Sequence, residues 1–238
     1  MFQRTELLIG KEKLEILKNS HVIIFGMGGV GGYVVEGLVR AGVGTLTIID
    51  FDVVDISNLN RQIIATQSNV GKPKVQLIEE RAKSINPDIK INSFEEMFSE
   101  ENSELFFNDN MKYDYIIDAI DLITHKIKII EMAEKYKIKI ISSMGTANKM
   151  EPLKLRIDKI EKTIACPLAK IIRKELRKRR IGKNLKVLYS LEEVKKVENQ
   201  EGRGNFRKLG SISFVPATAG LIIASEVIKE LIDKSKDG

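Results

Sequence analysis

His21-Val22-Ile23-Ile24-Phe25 runs directly into Gly26-Met27-Gly28-Gly29-Val30-Gly31-Gly32, and a helical repeat follows to Ala41. A short apolar run that ends in glycines reads as a strand buried on both faces, the kind found in parallel sheets. Gly26, Gly28 and Gly31 satisfy G-x-G-x-x-G between that strand and that helix. Such a turn lets backbone N–H groups and a helix N-terminus approach phosphates closely. No Lys-Ser or Lys-Thr follows the glycines, which excludes a Walker-type loop.

The same alternation continues outward. Residues 5–17 read as a short helix broken near Gly10. Residues 46–50, 89–91, 115–119 and 138–142 read as strands, and 73–85 and 124–136 as helices, the first stopped by Asn86-Pro87. Residues 52–68 lack periodicity and read as a loop. The predicted fold class is α/β: a Rossmann-like, doubly wound, mostly parallel sheet. After Gly145 the pattern changes. Strands are expected at 153–157, 186–189 and 212–215, a basic helix at 167–180 and a mobile loop at 192–208. A closing helix is expected at 217–232, with Leu221, Ile222, Val227, Ile228 and Leu231 on its buried side. The division is therefore a nucleotide-binding domain over 1–150, with 151–238 as an extension of the same domain.

Bulk properties remove several function classes. Cys166 is the one cysteine, so an intramolecular disulfide and a zinc site of the C-x-x-C type are both impossible. The most apolar stretch, 212–232, is interrupted by Pro216 and Glu226 and falls short of a clean membrane span. The first six residues have no signal-like apolar core, and the expectation is a cytoplasmic protein without membrane association. The net charge of +6 is concentrated: residues 170–183 hold eight basic side chains and one acid, leaving the rest slightly acidic. Arg173, Lys174, Arg177, Lys178 and Arg180 fall on the 167–180 helix, as expected for a surface that meets a polyanion.

The glycine loop alone suits any nucleotide with an adenosine half, a nicotinamide dinucleotide included. Asp50 ends the second strand, where a carboxylate can accept from both ribose hydroxyls. Downstream come Ser57-Asn58-Leu59-Asn60-Arg61-Gln62, Gly71-Lys72-Pro73-Lys74 and Asp118-Ala119-Ile120-Asp121. A dinucleotide site needs no Arg and Lys pair here, whereas a triphosphate does. Asp121 lies just past a strand's carboxyl end, where a magnesium ligand belongs. Asp118 reads as support for the loop that presents Asp121. His21 and His125 share no evident site.

This set of motifs, from Arg4 to about Gly145, resembles the ubiquitin-activating-enzyme-like superfamily (ThiF/MoeB/HesA). The resemblance implies ATP cradled by Gly28 and Gly29, with its ribose on Asp50. It implies phosphate contacts from Asn58, Arg61 and Lys74, and Mg2+ on Asp121. Arg61, Lys74 and Asp121 are thus the catalytic candidates. Arg4 matches an arginine that reaches the partner subunit's ATP in that superfamily, which implies a two-fold homodimer. Two features depart from the sulfur-carrier activators of the group: they usually carry two C-x-x-C pairs, and they usually have Asp-Asn where this chain has Asp121-Leu122.

The second half narrows the resemblance. Thr163-Ile-Ala-Cys-Pro-Leu-Ala-Lys170, the basic helix after it, and Gly210-Ser-Ile-Ser-Phe-Val-Pro216 are similar to the tRNA threonylcarbamoyladenosine dehydratase family. This implies adenylation of the carboxylate of N6-threonylcarbamoyladenosine in tRNA. Ring closure by the neighbouring carbamoyl group then expels AMP. The modified base supplies its own nucleophile, so Cys166 reads as a small apolar residue at a helix start; a thioester nucleophile is the other reading. The runner-up function is activation of a ubiquitin-like sulfur carrier, which would make a sulfur-transfer protein a partner.

Overall fold

The computed structural model describes residues 1–193 and 209–233. Seven strands form one sheet: β1 (His21–Phe25), β2 (Thr45–Ile49), β3 (Lys90–Phe94), β4 (Tyr115–Asp118), β5 (Lys139–Ser143), β6 (Leu155–Lys159) and β7 (Lys186–Ser190), in the spatial order β3-β2-β1-β4-β5-β7-β6. Every neighbouring pair is parallel except β6 with β7. The helices are α1 (Gln3–Ile9), α2 (Lys11–Asn19), α3 (Gly31–Ala41), α4 (Lys74–Ile85), α5 (Ser103–Phe106), α6 (Ile123–Lys135), α7 (Pro167–Arg179) and α8 (Phe214–Ile232). This is the doubly wound α/β architecture expected from the alternation of strand and helix.

Strand alternation divides the core. Val22 and Ile24 of β1 face one layer, with Leu17, Val34, Leu38, Ile223 and Val227 from α2, α3 and α8. Ile23 and Phe25 face the other, where Phe25 packs against Phe98, Phe106 and Phe107. A third cluster joins α6 to α7 through Ile127, Ile130, Ile172 and Leu176, under Val187 of β7. The register levels the strand ends: Phe25 pairs with both Ile49 and Asp118, so Gly26, Asp50 and Ala119 emerge side by side. That point is where the strand order reverses, the place ligands bind in open α/β sheets.

Two expectations fail in the last segment. Residues 212–215 form no strand; Phe214 and Val215 already belong to α8. Pro216 is only the third residue of that helix, where a backbone N–H has no helical acceptor to lose. The buried side of α8 is also rotated from the one expected. Val227 and Leu231 are buried, Ile222 and Ile228 are half-buried, and Leu221 is 48% exposed. Small residues set the face. A Cβ on Gly220 would meet the Val30 carbonyl oxygen at 2.4 Å, and one on Gly37 would meet Ala224 Cβ at 2.7 Å. α3 and α8 therefore cross at backbone contact, and the large side chains are placed around that crossing.

Helix α5, four residues long, was not expected. Beyond Glu193 the loop expected at 192–208 lies outside the described residues. No helix among the described residues is long and apolar enough to cross a membrane.

Candidate active site

A cavity of about 590 Å³ opens at the carboxyl ends of β1, β2, β4 and β5. Gly28, Gly29, Asp50, Asn58, Arg61, Lys74 and Asp121 all lie on its wall. The glycine turn is built by steric necessity at two of its positions. Gly26 has φ +91°, and a Cβ on Gly31 would fall 1.7 Å from the Gly26 carbonyl oxygen. Gly28 differs: a Cβ there would meet nothing nearer than Gln62 Nε2 at 3.9 Å. Protein packing does not demand a glycine at 28, and its bare backbone leaves room for a phosphate to approach.

Asp50 is fixed by two backbone donors, Met27 N–H at 2.5 Å and Asp52 N–H at 2.8 Å. Each oxygen keeps lone-pair capacity for a ribose hydroxyl. Burial pushes this carboxyl above the usual carboxylate range, against the opposing pull of Lys74 and of the same two N–H groups. Lys74, the first residue of α4, is buried, and its Nζ lies 2.7 Å from the half-exposed Asp52 carboxylate. A phosphate can take the place of Asp52 there without further desolvating the lysine. Arg61 Nη1 donates to the Ser57 carbonyl (2.7 Å) and to Asn60 Oδ1 (3.0 Å), leaving the rest of the guanidinium for an anion. Asn58 closes a capping box with Asp55 at the short 3₁₀ turn 56–58, which fixes its side chain.

Sequence reading missed two residues here. Gln62 is buried on the cavity wall, and its Oε1 has no hydrogen-bond partner among the described residues. A buried acceptor without a donor is costly, and a nucleotide hydroxyl or amine would satisfy it. Lys126 is fully buried on α6 and donates to Asp118 Oδ2 and the Ser143 carbonyl. Asp118 in turn accepts from the Ile120 N–H at 3.2 Å and from Ser142 Oγ at 2.6 Å. The network fixes the loop that presents Asp121, the role expected of Asp118. Lys126 could have been suspected only as a charge on the apolar stripe with Ile123, Ile127 and Ile130.

Other candidates lie elsewhere. Arg4 is exposed on α1 and is absent from the wall of its own cavity. Cys166 is buried beside Ile160, Ala169 and Ile172 and is not on the cavity wall. Helix α7 touches the cavity through Leu168 and then leads away from it. The expected phosphate row Arg173, Arg177 and Arg180 is not a single free face. Arg173 Nη1 is spent on the Ile160 carbonyl, the Thr163 carbonyl and Thr163 Oγ1. Arg177 holds Glu161 through two nitrogens. Lys174 and Arg180 are exposed, and Lys178 is paired with Glu175 at 2.8 Å. Helical spacing shows which residues share a side, but not which neighbour that side meets.

The family model described as the ThiF family matches residues 2–237. The chain belongs to the ThiF family. Within it, the tRNA threonylcarbamoyladenosine dehydratase of Bacillus subtilis is 43% identical over 241 residues, covering 97% of this chain and 94% of that protein. The crystal structure of the Escherichia coli tRNA N6-threonylcarbamoyladenosine dehydratase TcdA in complex with ATP superposes with a TM-score of 0.89 at 28% identity, over 99% of this chain and 95% of that one. The sulfur carrier protein adenylyltransferase of Thermus thermophilus is 34% identical, but over 113 residues, 48% of this chain and 41% of that protein. Likeness to a ThiF-family sulfur-carrier activator thus spans half the chain, whereas likeness to the dehydratases runs through both halves.

Proposed function

We propose that this ThiF-family chain is an ATP-dependent tRNA threonylcarbamoyladenosine dehydratase. One observation carries the substrate assignment: similarity to the dehydratases continues through β6, α7, β7 and α8, beyond the half shared with the sulfur-carrier activator. The cavity supports the chemistry. Gly28 and Gly29 leave room for phosphates, Asp50 takes the ribose, and Asn58, Arg61 and Lys74 meet the triphosphate. A carboxylate oxygen of the modified base attacks the α-phosphorus, and pyrophosphate leaves. The carbamoyl group of the same base then attacks the acyl carbon, and AMP leaves with that oxygen. Arg61 and Lys74 stabilise the charge that develops on the transferring phosphate. The base carries its own nucleophile, which agrees with Cys166 lying off the cavity wall.

Mg2+ fits this wall in the usual way for a nucleotide enzyme: one carboxylate, Asp121, with the phosphates completing the shell. No group of three metal-binding side chains occurs among the described residues. When bound, the ion would neutralise phosphate charge. Arg4 stands on an exposed helix beside Leu7 and Leu8, which are 87% and 84% exposed. An apolar pair so placed would seat a two-fold partner and bring Arg4 to the partner's cavity.

The test is to incubate the protein with ATP, Mg2+ and tRNA bearing N6-threonylcarbamoyladenosine and to weigh the released nucleosides. Loss of one water, with AMP and pyrophosphate formed, is the expected result. An unchanged nucleoside, with AMP transferred to the C-terminus of a ubiquitin-like carrier, would favour sulfur-carrier activation instead.

A further inference from the structure

Helices α6 and α7 lie side by side and run the same way. Both begin at the nucleotide cavity, where Asp121, His125 and Leu168 lie on the wall. Both end at the amino ends of the strands, about 20 Å away at 1.5 Å per residue over thirteen residues. A second cavity of about 470 Å³ opens there, between the turn that follows α6 and the turn that follows α7.

Ala169, Ile172 and Leu176 are the buried side of α7. Arg173 and Arg177 turn to the 160–163 segment, and Arg179 turns to Glu131 of α6 at 2.5 Å. The middle of the solvent face holds Lys170, Lys174 and Lys178, each four residues, or about 6 Å, from the next, with Lys178 in an exposed pair with Glu175 that a phosphate can replace. The wall of the second cavity carries further lysines, Lys137 and Lys183 from the two turns and Lys139 and Lys186 from the first positions of β5 and β7, Lys186 being held by Glu226 and Glu230. Of its acids, Glu230 pairs with Lys186, whereas Glu134 accepts from the Gly182 N–H at 2.8 Å and keeps its charge.

We infer that the substrate RNA lies along this face. Its unpaired modified loop enters the nucleotide cavity, and the backbone of its duplex stem crosses Lys170, Lys174 and Lys178 to end on Lys137 and Lys183 at the second cavity. The inference rests on the tRNA reading above and assigns it a path. A hairpin whose loop reaches the cavity must carry its stem away over some surface. The lysines of α7, followed by Lys137 and Lys183, lead from the cavity along the two helices that frame it. Contacts of this kind are to phosphates, so they position the RNA without reading its sequence.

The test uses two paired variants, Lys170→Ala/Lys174→Ala and Lys137→Asn/Lys183→Ala. Asparagine keeps the left-handed backbone of Lys137, φ 55°. Affinity is measured across a salt series for intact modified tRNA and for a short oligonucleotide carrying only the modified loop. Each lost phosphate contact should flatten the slope of log K against log salt by about 0.9. Both variants should show the flattening with intact tRNA, and the 137/183 pair should leave the short oligonucleotide unaffected. ATP affinity should stay unchanged in both. An unaltered slope in both variants, while wild type still dehydrates the tRNA, would overturn the path and leave the function standing. A wild-type protein that neither binds nor dehydrates the tRNA would overturn both.

Discussion

Lys126 Nζ lies 2.9 Å from Asp118 Oδ2, and solvent reaches neither side chain. The pair ties α6 to the end of β4, and through Ser142 and Ser143 to the end of β5. Its placement beside the Ile120-Asp121 loop supports the Asp121 side of the cavity. Removing one partner strands a buried charge, which typically costs about 3–5 kcal/mol. Lys126→Met should lower unfolding free energy by about that amount in urea titrations, and Lys126→Met/Asp118→Asn should recover part of the loss. A single variant as stable as wild type would mean that the pair is dispensable.

Arg61→Ala and Lys74→Ala should each remove about 2–4 kcal/mol of transition-state stabilisation. Asp121→Ala should lose magnesium-dependent turnover in a folded protein, because Asp121 is exposed and supports no core contact. Steady-state kinetics with matched circular dichroism checks this. Near-normal turnover in Asp121→Ala would take it out of the site.

Acid should weaken ribose binding earlier than an ordinary aspartate would allow. Burial raises the Asp50 pKa, so the folded protein takes up this proton at a higher pH than the unfolded chain does. As pH falls through that raised value, a carboxylate that accepts from ribose hydroxyls becomes a neutral acid and binding declines. As pH rises through it, ionising the buried group withdraws stability instead. Adenosine, free of titrating phosphates, is the suitable probe. Its affinity should drop on the acid side in wild type and be flat in Asp50→Asn. A flat wild-type profile down to the onset of unfolding would remove Asp50 from the ribose contact.

The sheet was legible because β1, β2 and β4 are short, mainly apolar runs that end at Gly26, Asp50 and Asp118, with helical repeats between the strands. The placement of Gly28, Asp50, Lys74 and Asp121 on the cavity wall was legible for a related reason: they follow strand ends or open a helix, whereas Asn58 and Arg61 were read from their motif. What escaped depends on neighbours distant in sequence. Phe25, Phe98, Phe106 and Phe107 meet across some eighty residues, and α5 between them is too short to show a helical period. Ile212 and Val215 look like strand residues until α3 is present to receive Gly220. Sequence alone does not show that Arg173 Nη1 donates to the Ile160 and Thr163 carbonyls. Gln62 stands within a motif that was read, yet only its burial beside Gly28 shows an acceptor in want of a donor.

The protein should be a dimer in solution with Arg4 acting in trans. Arg4→Ala and Lys74→Ala proteins, each impaired alone, should regain partial activity when mixed and allowed to exchange subunits. One cavity in the mixed dimer then keeps both residues. Sedimentation at micromolar concentration should report the dimer. A fully active monomer would contradict both the assembly and the role of Arg4.

Adenylation of the substrate carboxylate would leave its mark in the path of one oxygen atom. The threonylcarbamoyl carboxylate of the tRNA is labelled with oxygen-18, and the reaction is run with unlabelled ATP and water. Adenylation and ring closure predict one labelled oxygen in the phosphate of AMP and none in pyrophosphate, with the nucleoside lighter by one labelled water. Unlabelled AMP, with the label retained in the nucleoside or released to solvent, would contradict the mechanism.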